Sequence, residues 1–120
     1  MWFDSMDKNK KDILIGFIIL ALEIILLYFF WKNNKILAVA FLIMSVFVLL
    51  LWTNKGEKVL YFTGFILLPL YDLILVSRGV WSYGNPTIYG VPIWLPFAYG
   101  LGTVMIVKIG NSVSRIYFKQ

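Results

Sequence analysis

The chain has 120 residues, of which 61% are hydrophobic, 18% aromatic and only 14% charged. Soluble domains have about 45 to 50% apolar and about 25% charged residues, so this composition excludes a soluble domain. The absence of Cys and His excludes disulfides, thiol chemistry and Cys/His metal or haem sites. The net charge is +5, but the sequence contains no motif typical of nucleic-acid binding. We therefore expect no cofactor, no metal and no nucleic-acid partner.

Four apolar segments are each long enough to cross a bilayer, which requires about 20 residues in a helix. They cover residues 12–31, 36–53, 59–77 and 91–109, and a loop over 78–90 joins the last two. Lipid offers no hydrogen-bond partner to the backbone, so each segment is predicted to be helical. The sequence thus predicts an all-α fold, with residues 1–120 forming one transmembrane four-helix bundle.

An acid interrupts the first segment at Glu23, about 16 Å along the helix at 1.5 Å per residue. A charged side chain near the centre of a membrane helix costs about 2.5 to 3.5 kcal/mol on insertion scales, and such acids often mark functional sites. Glu23 is therefore a candidate catalytic residue, acting as a general acid. The structural alternative is a protonated carboxyl that bonds a neighbouring helix.

The third segment contains Pro69 and, three residues later, Asp72. Pro69 removes a backbone amide, so a kink is expected there. Asp72 lies about 20 Å along its helix, at a level similar to Glu23. If the first and third helices pack together, the two acids could share one cavity, and Asp72 is the second candidate catalytic residue. Its structural alternatives are a pair with Arg78 or contact with interfacial water.

Aromatic residues are concentrated in the loop and at the start of the fourth segment. An interfacial belt is the ordinary explanation of such enrichment. The alternative is a loop that folds back as a lid over a pocket on the same side of the membrane as the two acids. In that case the ligand-binding residues are predicted to be Arg78, Trp81, Tyr83, Trp94 and Tyr99.

The fourth segment begins with two prolines. Pro92 suits a first helical turn, and Pro96 is predicted to kink the helix one turn later. Ala98 and Gly102 follow at the spacing typical of close helix contacts in membranes. They could pack within the bundle, against a second copy or against another subunit.

Positive charge is distributed unevenly along the chain, and cytoplasmic loops carry an excess of Lys and Arg. With a cytoplasmic N-terminus, eight basic residues lie inside and three outside, so both termini are predicted to be cytoplasmic in a multi-pass protein of the cell membrane. The inner set is Lys8, Lys10, Lys11, Lys55, Lys58, Lys108, Arg115 and Lys119, and the outer set is Lys32, Lys35 and Arg78.

The run from Asp72 to Tyr83, with Gly79 and Trp81 inside it and Pro92 after it, resembles a signature of the membrane-embedded lycopene cyclase domain of carotenoid synthesis. It is also similar to patterns in small bacterial and archaeal membrane proteins of unknown function. The resemblance implies a helical membrane fold and an isoprenoid substrate. The acidic residues that follow the Pro in that family are absent here. The resemblance therefore extends to Asp72, Gly79 and Trp81 but not to the catalytic carboxylates.

Three functional classes fit these features. The first is a protein that binds or processes an apolar, isoprenoid-like membrane lipid, with a protonated Glu23 or Asp72 as general acid. The second is a proton-coupled exporter of organic cations, acting as a dimer, in which aromatic rings supply cation–π contacts. The third is a structural subunit of a larger membrane complex. The arrangement of both acids and the aromatic loop on one side of the membrane favours the first.

Overall fold

The fold is a bundle of four helices. The computed structural model describes residues 7–118 of the chain. In chain order the helices are α1 (Lys8–Phe30), α2 (Asn34–Leu51), α3 (Lys55–Ser77) and α4 (Leu95–Phe118), and the described residues contain no β-strand. The prediction of an all-α four-helix bundle is therefore confirmed.

Polar side chains determine where the first three helices begin. Asp7 accepts a hydrogen bond of 3.0 Å from an amide in the first turn of α1, which therefore starts four residues before the predicted segment. Asn33 caps α2 in the same way, at 3.1 Å. Asn54 and Glu57 form a reciprocal capping box at the start of α3. The apolar segments thus correspond to the hydrophobic part of each of these helices, and the caps extend the helices beyond it.

The start of α4 corrects two predictions. This helix begins at Leu95, four residues later than predicted, so Pro92 precedes the helix instead of lying in its first turn. Pro96 is the second residue of α4, where no intrahelical hydrogen bond is lost, and the predicted kink at Pro96 is therefore wrong. Pro69 does lie inside α3, which is continuous from Lys55 to Ser77, and a kink there stays a prediction.

Helix α4 is the centre of the bundle. It packs against α1, α2 and α3, whereas α1 and α3 make few contacts with each other. Two glycines allow the close approach of α3 and α4: a Cβ at Gly64 would lie 3.1 Å from the Tyr99 carbonyl oxygen, and one at Gly100 would lie 2.6 Å from the Tyr61 ring. Gly102, which the small-residue pattern selects, has nothing within 4 Å of its Cβ position.

Successive helices run in opposite directions, so residues that are distant along the chain meet at each end of the bundle. Asp12 near the start of α1, Trp52 after α2, Glu57 near the start of α3 and Lys108 in α4 all lie at one end, which we call the terminal end. Loop 78–94 covers the opposite end, which we call the loop end. Of the predicted inner charges, Lys119 lies outside the described residues.

The outer surface of the bundle exposes many large apolar side chains, while several polar side chains are buried inside it. Leu50 and Leu51 are 74% and 78% exposed, while Asp72 and Lys108 are 1% and 4% exposed. Helices α1, α2 and α3, with 23, 18 and 23 residues, are long and apolar enough to cross a membrane. Apolar surfaces with polar groups between the helices suggest a membrane protein. A fourth crossing, by α4, stays a prediction.

Candidate functional site

A lateral groove opens where α1 and α3 pack on α4 without meeting each other. Its volume is about 390 Å³, and its surface is mostly apolar. Helix α4 forms the floor, Glu23 borders it from α1, and Leu68 borders it from α3. The residues that line it are Glu23, Leu68, Trp94, Leu95, Ala98, Tyr99, Gly102, Thr103 and Ile106.

Glu23 is the acidic residue of the lateral groove. Its side chain is half-buried, and its Oε1 atom is buried without a hydrogen-bond partner among the described residues. A buried polar atom without a partner costs about 1 to 3 kcal/mol, so native proteins contain few of them. The structural interpretation of Glu23 requires a hydrogen bond to a neighbouring helix. The described residues provide no such bond to this oxygen.

Asp72 lies elsewhere and has partners of its own. Its Oδ2 atom accepts hydrogen bonds from the phenol groups of Tyr99, at 2.5 Å, and Tyr83. Burial, together with the bond to Asp72, raises the pKa of Tyr83, so this phenol keeps the proton that it donates. Asp72 is not a lining residue of the lateral groove.

The two acids are thus not in contact, because α1 and α3 are both packed on α4 instead of on each other. Tyr99 connects them indirectly: its side chain lines the groove beside Glu23, and its hydroxyl donates to Asp72. The predicted shared site therefore becomes two neighbouring sites with one tyrosine in common.

Asn34 anchors the loop to the start of α2. Its Nδ2 atom donates to the carbonyl of Asn85, at 2.9 Å, and to the hydroxyl of Thr87, at 2.5 Å. Its Oδ1 atom accepts from Trp94 Nε1 at 3.1 Å. Asn85 in turn donates to the Trp31 carbonyl at 3.2 Å. The role of Asn34 was not predicted from the sequence, because its hydrogen-bond partners lie more than 50 residues away along the chain.

A tight turn between Ile88 and Val91 returns the loop toward α4. The backbone amide of each residue donates to the carbonyl of the other, at 2.9 Å in both directions. Tyr89 and Gly90, the two central residues, have φ values of 49° and 87°. A Cβ at Gly90 would also lie 2.6 Å from the Val76 side chain, so this position requires glycine. The loop does fold back over the bundle.

The predicted ligand-binding residues fall into two groups. Trp94 and Tyr99 line the lateral groove, and Tyr83 bonds Asp72 next to it. Trp81 is 39% exposed and packs on the outward-facing ring of Tyr71, with 6.2 Å between the centroids. Arg78 is exposed at the end of α3. Trp81 and Arg78 are therefore not lining residues of the groove.

Both aromatic residues of the groove are tied to the loop by their polar atoms. Trp94 bonds Asn34, which holds Asn85 and Thr87 of the loop. Tyr99 bonds Asp72, which also accepts from Tyr83 of the loop. The position of the loop and the shape of the groove are thus coupled through two separate hydrogen-bond paths.

A second polar cluster lies at the terminal end. Lys108 Nζ is 3.1 Å from Glu57 Oε1 and 3.8 Å from Asp12 Oδ2, and it lies 4.8 Å above the Trp52 ring. Trp52 Nε1 donates to Asp12 Oδ1 at 2.9 Å. Lys108 was selected from the sequence only as one of the inner basic residues, whereas the fold joins four chain segments through its contacts. Within residues 7–118, no three acidic side chains come together as a metal site.

Comparisons of the chain with protein-family models, with curated proteins and with solved structures give no match. The function must therefore be argued from the geometry of the lateral groove and of the residues around it.

Proposed function

We propose that the protein binds an apolar, isoprenoid-like membrane lipid in the lateral groove. The supporting observation is the open floor of the groove at Gly102, where a Cβ would meet nothing within 4 Å. A volume of about 390 Å³ lies in the usual range for small-molecule sites, which is about 300 to 1,000 Å³. The hydrocarbon chain lies along α4, and the polar head lies at Glu23.

The groove is accessible from the side of the bundle, which suits a ligand that arrives through the membrane. Leu68 and Ile106 at its borders are 38% and 67% exposed, so apolar surface continues from the groove to the outside. A lipid can then enter without leaving the hydrocarbon. Placing the bundle in the cell membrane, with both termini in the cytoplasm, is part of the same proposal and is supported by the basic residues near the terminal end.

If the ligand is processed, the proton donor is Glu23 and not Asp72. Glu23 has a buried oxygen without a partner beside the ligand, while Asp72 already accepts hydrogen bonds from two tyrosines. A protonated Glu23 could transfer its proton to a double bond or to the head group of the lipid. Asp72 would then position Tyr99 and the loop.

A proton-coupled exporter of organic cations is the second candidate, and one observation favours it. The aromatic side chains of Trp94 and Tyr99 line the same groove as the unpartnered acid, an arrangement that suits a desolvated cation. Proton-driven uptake of such a cation by vesicles containing the protein would favour the exporter. Lipid binding without any uptake would favour the first proposal.

Filling the groove tests the proposal. We expect Gly102→Phe to weaken binding of a photoreactive, diazirine-bearing farnesol by about tenfold or more, because the ring occupies the floor on which the chain lies. The measurement is concentration-dependent photolabelling of the full chain in lipid nanodiscs. Gly110→Phe is the matched control, since Gly110 is also on α4 with nothing within 4 Å but lies outside the groove.

Equal labelling of the two variants and the original chain would contradict the proposal. The same variants test the predicted contact of Ala98 and Gly102 with a second copy or another subunit, since both residues line the groove. A change of oligomeric state with Gly102→Phe, with no change in labelling, would identify a neighbouring helix as the occupant.

A further inference from the structure

The side-chain donors of the lateral groove all have hydrogen-bond partners, whereas one acceptor has none. Three side chains that line it carry donors, and all three donate within the protein. Thr103 Oγ1 donates to the Tyr99 carbonyl at 2.8 Å, Tyr99 donates to Asp72 at 2.5 Å, and Trp94 donates to Asn34 at 3.1 Å. Glu23 also lines the groove, and its buried Oε1 accepts nothing.

This imbalance defines what a bound molecule must supply. With Glu23 ionised, the groove has a free acceptor, no free donor, and no Lys or Arg among its lining residues. A donor in the groove would give the Glu23 carboxyl the partner that it lacks, after a rotation about its last side-chain torsion, which is soft. A phosphate, diphosphate or carboxylate head would meet another acceptor and no cation.

We propose that the ligand of the lateral groove carries a hydrogen-bond donor, a hydroxyl or an ammonium group, at the end of its apolar chain, and that Glu23 binds this donor. The inference depends on the proposed function and adds the class of head group to it. Glu23 then selects between head groups, while α4, the floor of the groove, holds the apolar chain of the ligand. An ionised Glu23 disfavours anionic isoprenoids for the same reason.

The experiment compares four probes that share one chain: farnesol, farnesylamine, farnesyl methyl ether and farnesoic acid. Each competes with the diazirine-bearing farnesol for the full chain in nanodiscs. At a pH where Glu23 and farnesoic acid are both ionised, we expect farnesol and farnesylamine to compete about tenfold better than the ether, and the acid to compete least, because only the first two can then donate to Glu23.

Variants of Glu23 identify the group that makes the distinction. We expect Glu23→Leu to bind farnesol and the ether equally, because leucine cannot accept a hydrogen bond. Glu23→Gln keeps an acceptor but adds an amide donor for the ether oxygen, so the advantage of farnesol over the ether should decrease, while farnesylamine loses the attraction of a carboxylate. Thr63→Val is the control: Thr63 lies outside the groove and its hydroxyl is donated to the Val59 carbonyl, so the order of the probes should not change. Circular dichroism and size-exclusion chromatography verify that each variant folds.

The outcomes separate this inference from the function on which it depends. If photolabelling is absent and none of the four probes binds, the proposed function fails and the inference with it. If the ether and the alcohol compete equally in the original chain, the groove binds lipid but Glu23 does not select a donor, and the inference alone is overturned. A preference for farnesol that persists in Glu23→Leu also overturns it.

Discussion

Lys108→Met is expected to lower the free energy of unfolding by about 3 to 5 kcal/mol, because it leaves two carboxylates at the terminal end without their cation. Asp12 is buried, and Glu57 is half-buried, and the Lys108 ammonium group lies between them. Removing one partner of a buried ion pair costs more than the pair contributes, since the remaining charge stays desolvated. The measurement is unfolding by SDS in mixed detergent micelles.

Neutralising the acids should restore most of this loss. We expect the triple variant Lys108→Met, Asp12→Asn, Glu57→Gln to be clearly more stable than Lys108→Met alone. Asn retains an acceptor for Trp52, and Gln retains the capping box of α3. Lys55→Met is the matched control, since Lys55 is exposed in the first turn of α3, and its replacement should change stability by about 0.5 kcal/mol or less. Similar losses in Lys55→Met and Lys108→Met would refute this account of the cluster.

Asp72→Leu is expected to release the first half of the loop and to lower the free energy of unfolding by about 2 to 4 kcal/mol. The substitution removes the acidic acceptor that two half-buried phenol groups, those of Tyr83 and Tyr99, share. Hydrogen exchange in nanodiscs should rise for residues 79–84. Residues 85–91 should change less, because Asn34 still holds Asn85 and Thr87.

Two further variants separate the hydrogen bonds from a general loss of packing. Asp72→Asn keeps an acceptor oxygen and should therefore cost less than Asp72→Leu. Adding Tyr83→Phe and Tyr99→Phe to Asp72→Leu should recover stability, since replacing both partners with apolar groups removes the unsatisfied donors. If the triple variant is less stable than Asp72→Leu, the tyrosines contribute through contacts other than these hydrogen bonds.

The helices were predictable because each has a long apolar run bounded by polar residues. Their ends were less predictable, since the caps at Asp7 and Asn54 depend on hydrogen bonds and not on hydropathy. The start of α4 was assigned too early because residues 91–94, which lie between the turn and the helix, are as apolar as the helix itself. Glu23 was identified as a candidate site residue, and the structure adds that one of its oxygens has no partner.

The relation between the two acids could not be predicted from the sequence. Counting residues along a helix gives the level of Glu23 and Asp72 along the bundle, but it does not show which way each side chain points around its helix. The same ambiguity affected the small residues of α4: Gly100 meets Tyr61, while Gly102, half a turn away, faces the open groove. The contacts of Lys108 and Asn34 join residues distant along the chain, and no local pattern indicates them.

The central position of α4 also affects how the protein is made. Helices α1 and α3 find their principal packing surface on α4, which follows both of them along the chain. Until α4 has been synthesised, Lys108 is absent, and its acidic partners near the starts of α1 and α3 lack the ammonium group that joins them in the folded bundle. We therefore expect α1, α2 and α3 to stay loosely associated until α4 has been made.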